Sequence, residues 1–297
     1  MRPRNSGTTL ERLLGDLDRI QQKLEDLIKF APVLRFDESV AGLIIIRPKY
    51  YFGELSSNQK HEQLQIKRQY ERWIERVAIL CTGAPKTLRS SLNKADREFR
   101  NWLELSSNWS IKPDTESNMV EVHRAAEQLR DILRVFGMAG GNPIVIPDTN
   151  ALLHAPDPVD YRRLVSAQSF TFLLLPTVLH ELDELKILHR NPDIRDRATQ
   201  IITRIKGWRN QGVLVDGVTV DKTITVKAVA EEPSVKSTLS WLDPDNRDDR
   251  IIASTITVQT AYPTIRIVLV TGDINLQNKA DAASIEALDL PTVNNTS

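Results

Sequence analysis

Apolar and polar positions follow different periods in the two halves of the chain. In the first half, apolar residues recur every three or four positions with charged residues between them, which predicts amphipathic helices. The segments with this spacing are TTLERLLGDLDRIQQKLEDLIKF, HEQLQIKRQYERWIERVAILC, KTLRSSLNKADREFRNWLEL and ESNMVEVHRAAEQLRDILRVFGM. The stretch AGLIIIRPKYYFGEL interrupts the pattern and predicts a short strand or an apolar anchor for a neighbouring domain. We therefore predict a mostly α-helical domain over residues 1–140.

The second half alternates short, continuously apolar runs with helical segments. IVIP, FTFLLLP and IRIVLVTGD predict buried strands, while LHELDELKIL, IRDRATQIITRIKGW and DDRIIASTITVQTA predict helices. This alternation indicates an α/β domain over residues 142–290, with a mainly parallel sheet covered on both faces. GVLVDGVTVDKTITVKAVA alternates strictly and predicts an antiparallel edge ribbon or an inserted hairpin. Gly140 and Gly141 mark the domain boundary, and we expect residues 291–297 to form a loose tail.

Composition and charge narrow the class of protein. The one cysteine, Cys81, excludes an internal disulfide and fits a reducing compartment. No apolar run approaches the roughly 20 residues that a transmembrane helix needs, so we expect a soluble, cytoplasmic protein that does not enter a membrane. The first 140 residues carry 23 Lys and Arg against 19 Asp and Glu, and the remainder carries 16 against 20. The acidic excess of the second half suits a cation site there.

Acidic residues stand at the junctions between elements of the second half. Asp148 follows the first apolar run, Asp273 follows the last one, and Glu181 lies on the helix after the second run. Asp248 and Asp249 fall at the start of a further helix. Taken singly, each acid has an ordinary explanation as a turn residue or a helix cap. Because the carboxyl ends of parallel strands share one edge of a sheet, all of them can meet at that edge.

Carboxylates gathered at one edge would repel one another unless a cation lay between them. Mg²⁺ and Mn²⁺ prefer oxygen ligands and keep several waters for phosphate oxygens. Such a site can activate water and neutralise the charge that develops on a phosphodiester. His154, His180 and His189 do not have the spacing of a zinc site. We therefore predict a site for Mg²⁺ or Mn²⁺.

Four segments, in this order, resemble the PIN domain family of metal-dependent nucleases: IVIPDTNALL, LLLPTVLHELDELK, DDRIIAS and VLVTGDINLQNKADA. The resemblance covers about residues 142–290, and HELDELK and VTGDINLQNKA are most similar to PIN domains fused to PhoH-type ATPases. These residues contain no Walker A sequence, so we expect no ATPase part. The resemblance implies a three-layer α/β/α fold with a mainly parallel sheet. Residues 1–140 resemble no family that we recognise.

The resemblance also implies roles for individual residues. The residues that match the family's catalytic and metal-binding acids are Asp148, Glu181, Asp249 and Asp273. The residues in supporting positions are Asn150, Thr271, Asp248 and Asn275. Asp248 is the close rival of Asp249 for the third acid, which the family places four residues before a small residue, here Ala253. Asn275 stands where many members carry a further acid, which puts a second metal ion in doubt.

The activity that the resemblance implies is endonucleolytic hydrolysis of single-stranded RNA, with 5′-phosphate and 3′-hydroxyl products. Three of the four acids would hold the ion directly or through water, and Glu181 would hold a second ion or orient the attacking water. On the helix IRDRATQIITRIKGW, Arg195, Arg197 and Arg204 are candidates for contacts with backbone phosphates. An ordinary charged helix face explains these arginines equally well.

Two other functions remain open from the sequence. One is a PIN-fold scaffold that has lost activity and binds nucleic acid or protein. Against this function, a site without activity would have no electrostatic reason to keep four mutually repelling acids. The other is a structure-specific DNA nuclease, although such enzymes usually carry a long helical arch and more acids. The N-terminal helices are predicted to regulate the nuclease, to form a homodimer, or to bind a partner such as an antitoxin. A toxin, defence or RNA-processing setting therefore stays open.

Overall fold

The computed structural model describes residues 7–36, 48–105, 110–137 and 140–291. The chain divides into two compact units, of which the N-terminal one is Leu10–Gly137 and the C-terminal one takes in the described residues from 140 onward. Within the described ranges, no helix is long and apolar enough to cross a membrane. The sequence predicts a short strand or an anchor over residues 41–55 and a loose tail at 291–297. Residues 41–47 and 292–297 lie outside the described residues, and a short strand, Tyr50–Phe52, is present in the described part of the first stretch.

The N-terminal unit is built from amphipathic helices around a core of aromatic and aliphatic side chains. Its elements are α1 (Thr9–Lys29), β1 (Val33–Arg35), β2 (Tyr50–Phe52), α2 (Ser57–Leu80), α3 (Lys86–Glu104) and α4 (Thr115–Arg134). A capping box of Ser56 and Gln59 opens α2 and satisfies backbone N–H groups that the helix leaves free. Tyr70 and Phe99 stack at 4.8 Å between ring centroids in the core. Cys81, at the end of α2, is buried and free.

The C-terminal unit is an α/β/α domain, as the sequence predicts. Its strands are β3 (Ile144–Pro147), β4 (Phe170–Leu174), β5 (Val218–Asp221), β6 (Ile224–Ala228), β7 (Ile267–Val270) and β8 (Glu286–Leu288). Its helices are α5 (Thr149–His154), α6 (Tyr161–Val165), α7 (Pro176–Leu188), α8 (Pro192–Arg209), α9 (Arg247–Ala261) and α10 (Ile274–Ala282). Among the described residues, the sheet has the order β5-β6-β4-β3-β7-β8. Its neighbouring strands are parallel except for β5 and β6.

The strand order reverses between β3 and β7. After β3 the chain moves to β4 and then to β6, on one side, whereas β7 pairs with the other side of β3. Right-handed crossovers therefore place α5 to α8 on one face of the sheet and α9 and α10 on the other. The helices that leave β3 and β7 diverge and open a crevice at the carboxyl ends of these strands. Open α/β sheets bind their ligands at such a switch point.

β3 and β7 end level with each other. Their registers match over four residues, from Ile144 opposite Ile267 to Pro147 opposite Val270, and all eight residues are buried. The backbone N–H of Asp148 then donates to the carbonyl of Val270 at 3.0 Å. The residues that directly follow the two strands consequently lie side by side at the edge of the sheet.

The hydrophobic pattern of the sequence predicts the ribbon near the middle of the domain but does not predict the last strand. GVTVDKTITVKA forms the antiparallel pair β5 and β6 at the sheet edge, as one of the two predicted arrangements requires, and β6 also pairs in parallel with β4. β8 was not predicted, because a three-residue strand is too short to show a period.

Candidate active site

Asp148 is buried where β3 meets α5. Its side chain is the N-cap of α5 and accepts the N–H of Ala151 at 2.6 Å. Burial raises the pKa of this carboxyl group to about 6; hydrogen bonds from Thr271 and Ala151 act against the shift, and the negative charges of Glu181 and Asp273 add to it. The three acids are therefore close enough to interact electrostatically, although they come from separate segments of the chain.

Glu181 reaches this edge from α7, which follows β4. The hydroxyl group of Thr149 donates to Oε2 of Glu181 at 2.6 Å. Thr149 is buried and directly follows Asp148, so the same turn positions two carboxylates. The neighbouring Asn150 is exposed.

Asp273 lies at the end of β7 and caps α10. Its carboxylate accepts the N–H groups of Asn275 at 2.7 Å and Leu276 at 3.3 Å, while its own N–H donates to the hydroxyl oxygen of Thr271 at 2.9 Å. Thr271 is fully buried and bonds to both Asp273 and Asp148, so it fixes the two acids relative to each other. Asn275 contributes its backbone N–H to this turn, and its side chain is exposed.

The third predicted acid, Asp249, is held by a lysine. Asp249 is buried in the first turn of α9, where its Oδ2 accepts the N–H of Asp243 at 2.9 Å. Its Oδ1 lies 2.8 Å from Nζ of Lys279, which also lies 3.3 Å from Oδ2 of Asp248. Desolvation lowers the pKa of Lys279, but the two aspartates outweigh it, so the pKa is raised.

Sequence reasoning missed Lys279. A lysine near the end of a helix is ordinarily explained by the helix dipole. Its contact with the start of α9 depends on how two helices pack, which no local pattern reports. The only available signal was indirect: two adjacent acids at a buried helix start need a positive partner.

The donor atoms at this edge suit a hard divalent cation. Carboxylate oxygens are the ligands that Mg²⁺ and Mn²⁺ prefer, and the pKa of Asp148 is raised chiefly by burial, with smaller contributions from the charges of Glu181 and Asp273. In the part of the chain that the structure describes, however, no three His, Cys, Asp or Glu side chains stand close enough to hold a metal ion together. The chemistry of the residues therefore fits a cation, while a full coordination shell is not assembled.

The predicted RNA-binding arginines have different surroundings. The guanidinium group of Arg195 donates to the carbonyl of His189 at 2.7 Å, and so fastens the turn between α7 and α8. Arg204 forms an ion pair with Asp157 at 3.0 Å. Arg197 is exposed on α8. Contacts of these residues with RNA stay predictions.

A mainly parallel sheet with interacting acids at its switch point defines a class of α/β domains that bind charged ligands at this edge. The amino-acid sequence of the C-terminal unit identifies the family within this class. Residues 145–291 match the family model of the PIN domain, and the C-terminal unit belongs to that family, as the sequence resemblance predicts. PIN domains are generally nucleases. No curated protein matches the chain, and the region before residue 145 stays without a family.

Proposed function

We propose that this protein is a metal-dependent endoribonuclease that hydrolyses single-stranded RNA at the carboxyl edge of the sheet in its PIN domain. We call this place the acidic edge, because it carries Asp148, Glu181, Asp249 and Asp273. The observation that carries the proposal is the placement of three acids at one edge of the sheet: Thr271 bonds to both Asp148 and Asp273, and Thr149, next to Asp148, donates to Glu181. Holding ionised carboxylates together costs free energy unless a cation compensates them.

Asp148, Asp273 and Glu181 would hold Mg²⁺ or Mn²⁺, with Asp249 as the fourth acid of the set. The bound ion would lower the pKa of a water molecule and offset the negative charge that develops on the phosphate. Thr271 bonds to both Asp148 and Asp273, and the hydrogen bond from Thr149 would hold Glu181 in place to bind the ion or to orient the attacking water. Attack of water on phosphorus with release of the 3′ oxygen yields 5′-phosphate and 3′-hydroxyl ends.

An exposed aromatic side chain supports a single-stranded substrate. Trp241 is 43% exposed and precedes by two residues Asp243, whose N–H is bound by Asp249. Unpaired bases stack on such rings, whereas bases in a duplex are not accessible to them. Arg197, exposed on α8, is a candidate for a phosphate contact, and Arg195 and Arg204 on the same helix stay candidates beside it. Such RNA would be met in the cytoplasm.

A second candidate function is a binding scaffold without catalysis. The observation in its favour is that Lys279 already neutralises Asp249 and Asp248, so part of the acidic edge carries its own cation. In this function the PIN domain binds nucleic acid or protein but does not cleave it.

The experiment that separates these functions is an RNA cleavage assay with a metal series. Labelled single-stranded RNA and DNA are incubated with the protein in Mn²⁺, Mg²⁺ or EDTA, beside Asp148→Asn and Asp273→Asn. We expect cleavage of RNA with Mn²⁺ or Mg²⁺, none in EDTA, and a loss of at least about 100-fold in each variant. The matched control is Asp281→Asn, because Asp281 is an exposed acid at the opposite end of α10 from Asp273.

Three outcomes would contradict the proposal. Cleavage that persists in EDTA or in both site variants indicates a contaminant or another site. Binding of RNA without cleavage under every metal supports the scaffold. Preferential cleavage of branched or single-stranded DNA identifies a DNA nuclease instead.

A further inference from the structure

Asp249 is buried; one of its carboxylate oxygens accepts a hydrogen bond, and the other lies in an ion pair without a hydrogen bond of its own. Oδ2 accepts the backbone N–H of Asp243 at 2.9 Å, and Oδ1 lies 2.8 Å from the ammonium group of Lys279. A carboxylate in this condition is not an open ligand, because a metal ion that approaches it meets a positive charge already in contact with Oδ1. Asp148 and Asp273, by contrast, accept hydrogen bonds and form no ion pair with any residue in the described ranges.

Lys279 contacts three polar side chains at the start of α9: it donates hydrogen bonds to Asn246 and Asp248 and forms an ion pair with Asp249. Nζ of Lys279 lies 2.8 Å from Oδ1 of Asp249, 3.2 Å from Oδ1 of Asn246 and 3.3 Å from Oδ2 of Asp248. Asn246 is the N-cap of α9, so the lysine binds the cap and both acids of the first turn. Such a set of contacts holds a cation in a specific position.

The topology places this lysine pair at the acidic edge. α9 leads into β7, and a helix that covers a parallel sheet runs opposite to the strand that follows it, so the start of α9 lies at the carboxyl edge of the sheet. Lys279 lies on α10, which begins directly after Asp273. One short helix therefore carries an acid of the proposed metal site at its start and the partner of Asp249 further along.

We propose that Lys279 is a built-in cation that a divalent ion has to displace from Asp249, so that this lysine sets the metal affinity of the acidic edge. The inference rests on the proposed metal-dependent function and deepens it. Without the lysine, Asp249 would be an uncompensated acid in the pocket, and a divalent ion would bind more tightly. With the lysine present, the metal-free protein is spared the repulsion of a fourth unpaired carboxylate. Lys279 is a positioning residue, because it acts through Asp249.

The test measures Mn²⁺ binding to the full chain, by the electron paramagnetic resonance signal of the free ion. The variants are Lys279→Met, Lys279→Arg, Asp249→Asn and the double variant of Lys279→Met with Asp249→Asn. Asp148→Asn reports whether the bound ion occupies the proposed site. Lys222→Met is the matched control, because Lys222 is exposed in the turn between β5 and β6, at the opposite edge of the sheet.

We expect Lys279→Met to lower the Kd for Mn²⁺ by about fivefold or more, because a positive charge adjacent to the ion is removed. Lys279→Arg and Lys222→Met should keep the wild-type Kd. In the Asp249→Asn background, Lys279→Met should no longer tighten binding, because the lysine acts by occupying this carboxylate. In EDTA, Lys279→Met should melt at a lower temperature than the wild type and recover more of its stability on addition of Mn²⁺.

Each adverse result has a separate meaning. If the wild type binds Mn²⁺ and Asp148→Asn does not, an unchanged or weaker Kd in Lys279→Met overturns the role of Lys279 and leaves the proposed nuclease site intact. Equal tightening in both Asp249 backgrounds overturns the specific competition for Asp249. If Lys279→Met fails to fold, Lys279→Arg and Asp249→Asn remain informative: a Lys279→Arg variant that folds but binds Mn²⁺ fivefold tighter overturns the inference. Wild-type protein with no Asp148-dependent Mn²⁺ binding overturns both proposals.

Discussion

At the scale of single residues, hydrogen-bond donors partly compensate the negative charges of the carboxylates at the acidic edge. The hydroxyl groups of Thr149 and Thr271 and the first N–H groups of two helices donate to the carboxylates. For Asp148 these donors do not offset the cost of burial, and its pKa stays raised at about 6. Asp148 is therefore a buried acid that is ionised at neutral pH. Its ionised form lowers the free energy of unfolding of the protein.

Replacing Asp148 by Asn should stabilise the metal-free protein at neutral pH. Because the pKa is raised from 3.8 to about 6 in the folded state, the contribution of this group to stability is complete below pH 4 and is lost as the pH rises through 6. We expect Asp148→Asn to be more stable than the wild type by about 2–3 kcal/mol at pH 7.5. The difference should vanish near pH 4.

Urea unfolding in EDTA at pH 4, 5, 6 and 7.5 measures this difference, with Asp281→Asn as the control. Asparagine can still cap α5 through its amide oxygen, so the cap is not lost. A variant that is less stable than the wild type at every pH would show that Asp148 has a structural rather than an electrostatic role.

The sequence indicates which acids stand at this edge better than it indicates which side chains contact one another. It indicates Asp148, Glu181 and Asp273 because each stands where a strand ends or a helix begins, and such positions can be read locally. The same local signal predicts Asp249 as a metal-binding acid. The contact of Asp249 with Lys279, however, depends on the rotation of α9 against α10. Pairings between side chains distant in sequence are set by packing, which a periodic pattern does not encode.

At the scale of elements, two patterns predict the strands: continuous apolar runs, as in β3 and β7, and strict alternation, as in β5 and β6. β3 and β7 are apolar throughout, and such runs are distinctive in a sequence. β8 is held at the edge by a polar contact instead. Arg266, directly before β7, donates to both oxygens of Glu286 at 2.6 and 3.0 Å, and to the carbonyl of Val165 at 2.7 Å.

Replacing Arg266 by Met should destabilise the domain by about 3–5 kcal/mol, because it leaves the carboxylate of Glu286 buried without the guanidinium group. The double variant of Arg266→Met with Glu286→Met should recover most of this loss, since no buried charge remains. Thermal and urea unfolding measure both effects. Arg163→Met, at an exposed arginine on α6, is the control, and a single variant no less stable than this control would refute the role of the pair.

At the scale of the whole molecule, each unit has its own core. In the N-terminal unit, α1 to α4 bury the side chains of Trp73, Phe99 and Trp102 among leucines and isoleucines. The C-terminal unit contains the acidic edge in full. We propose that the N-terminal unit presents or restricts the RNA substrate, or binds a second copy of the chain or a regulatory protein.

A chain that begins at residue 138 should fold, bind Mn²⁺ with dependence on Asp148, and cleave RNA with a changed rate or substrate preference. The physical reason is that the residues of the site all lie on β3 to α10, whereas access to it can depend on the rest of the chain. Cleavage assays on several RNAs and light scattering compare the truncated and full-length proteins. Unchanged rate, substrate choice and oligomeric state would remove any regulatory role from the N-terminal unit.

The buried Cys81 makes the protein suitable for distance measurements. It is the one cysteine in the sequence, and burial raises the pKa of its thiol, so the reactive thiolate is disfavoured. A new cysteine at the exposed Ser90 on α3 could therefore take up a nitroxide label selectively, without first removing a native thiol. With Mn²⁺ at the acidic edge as the second paramagnetic centre, pulsed dipolar spectroscopy would report in solution how far the helical unit stands from the proposed cleavage site.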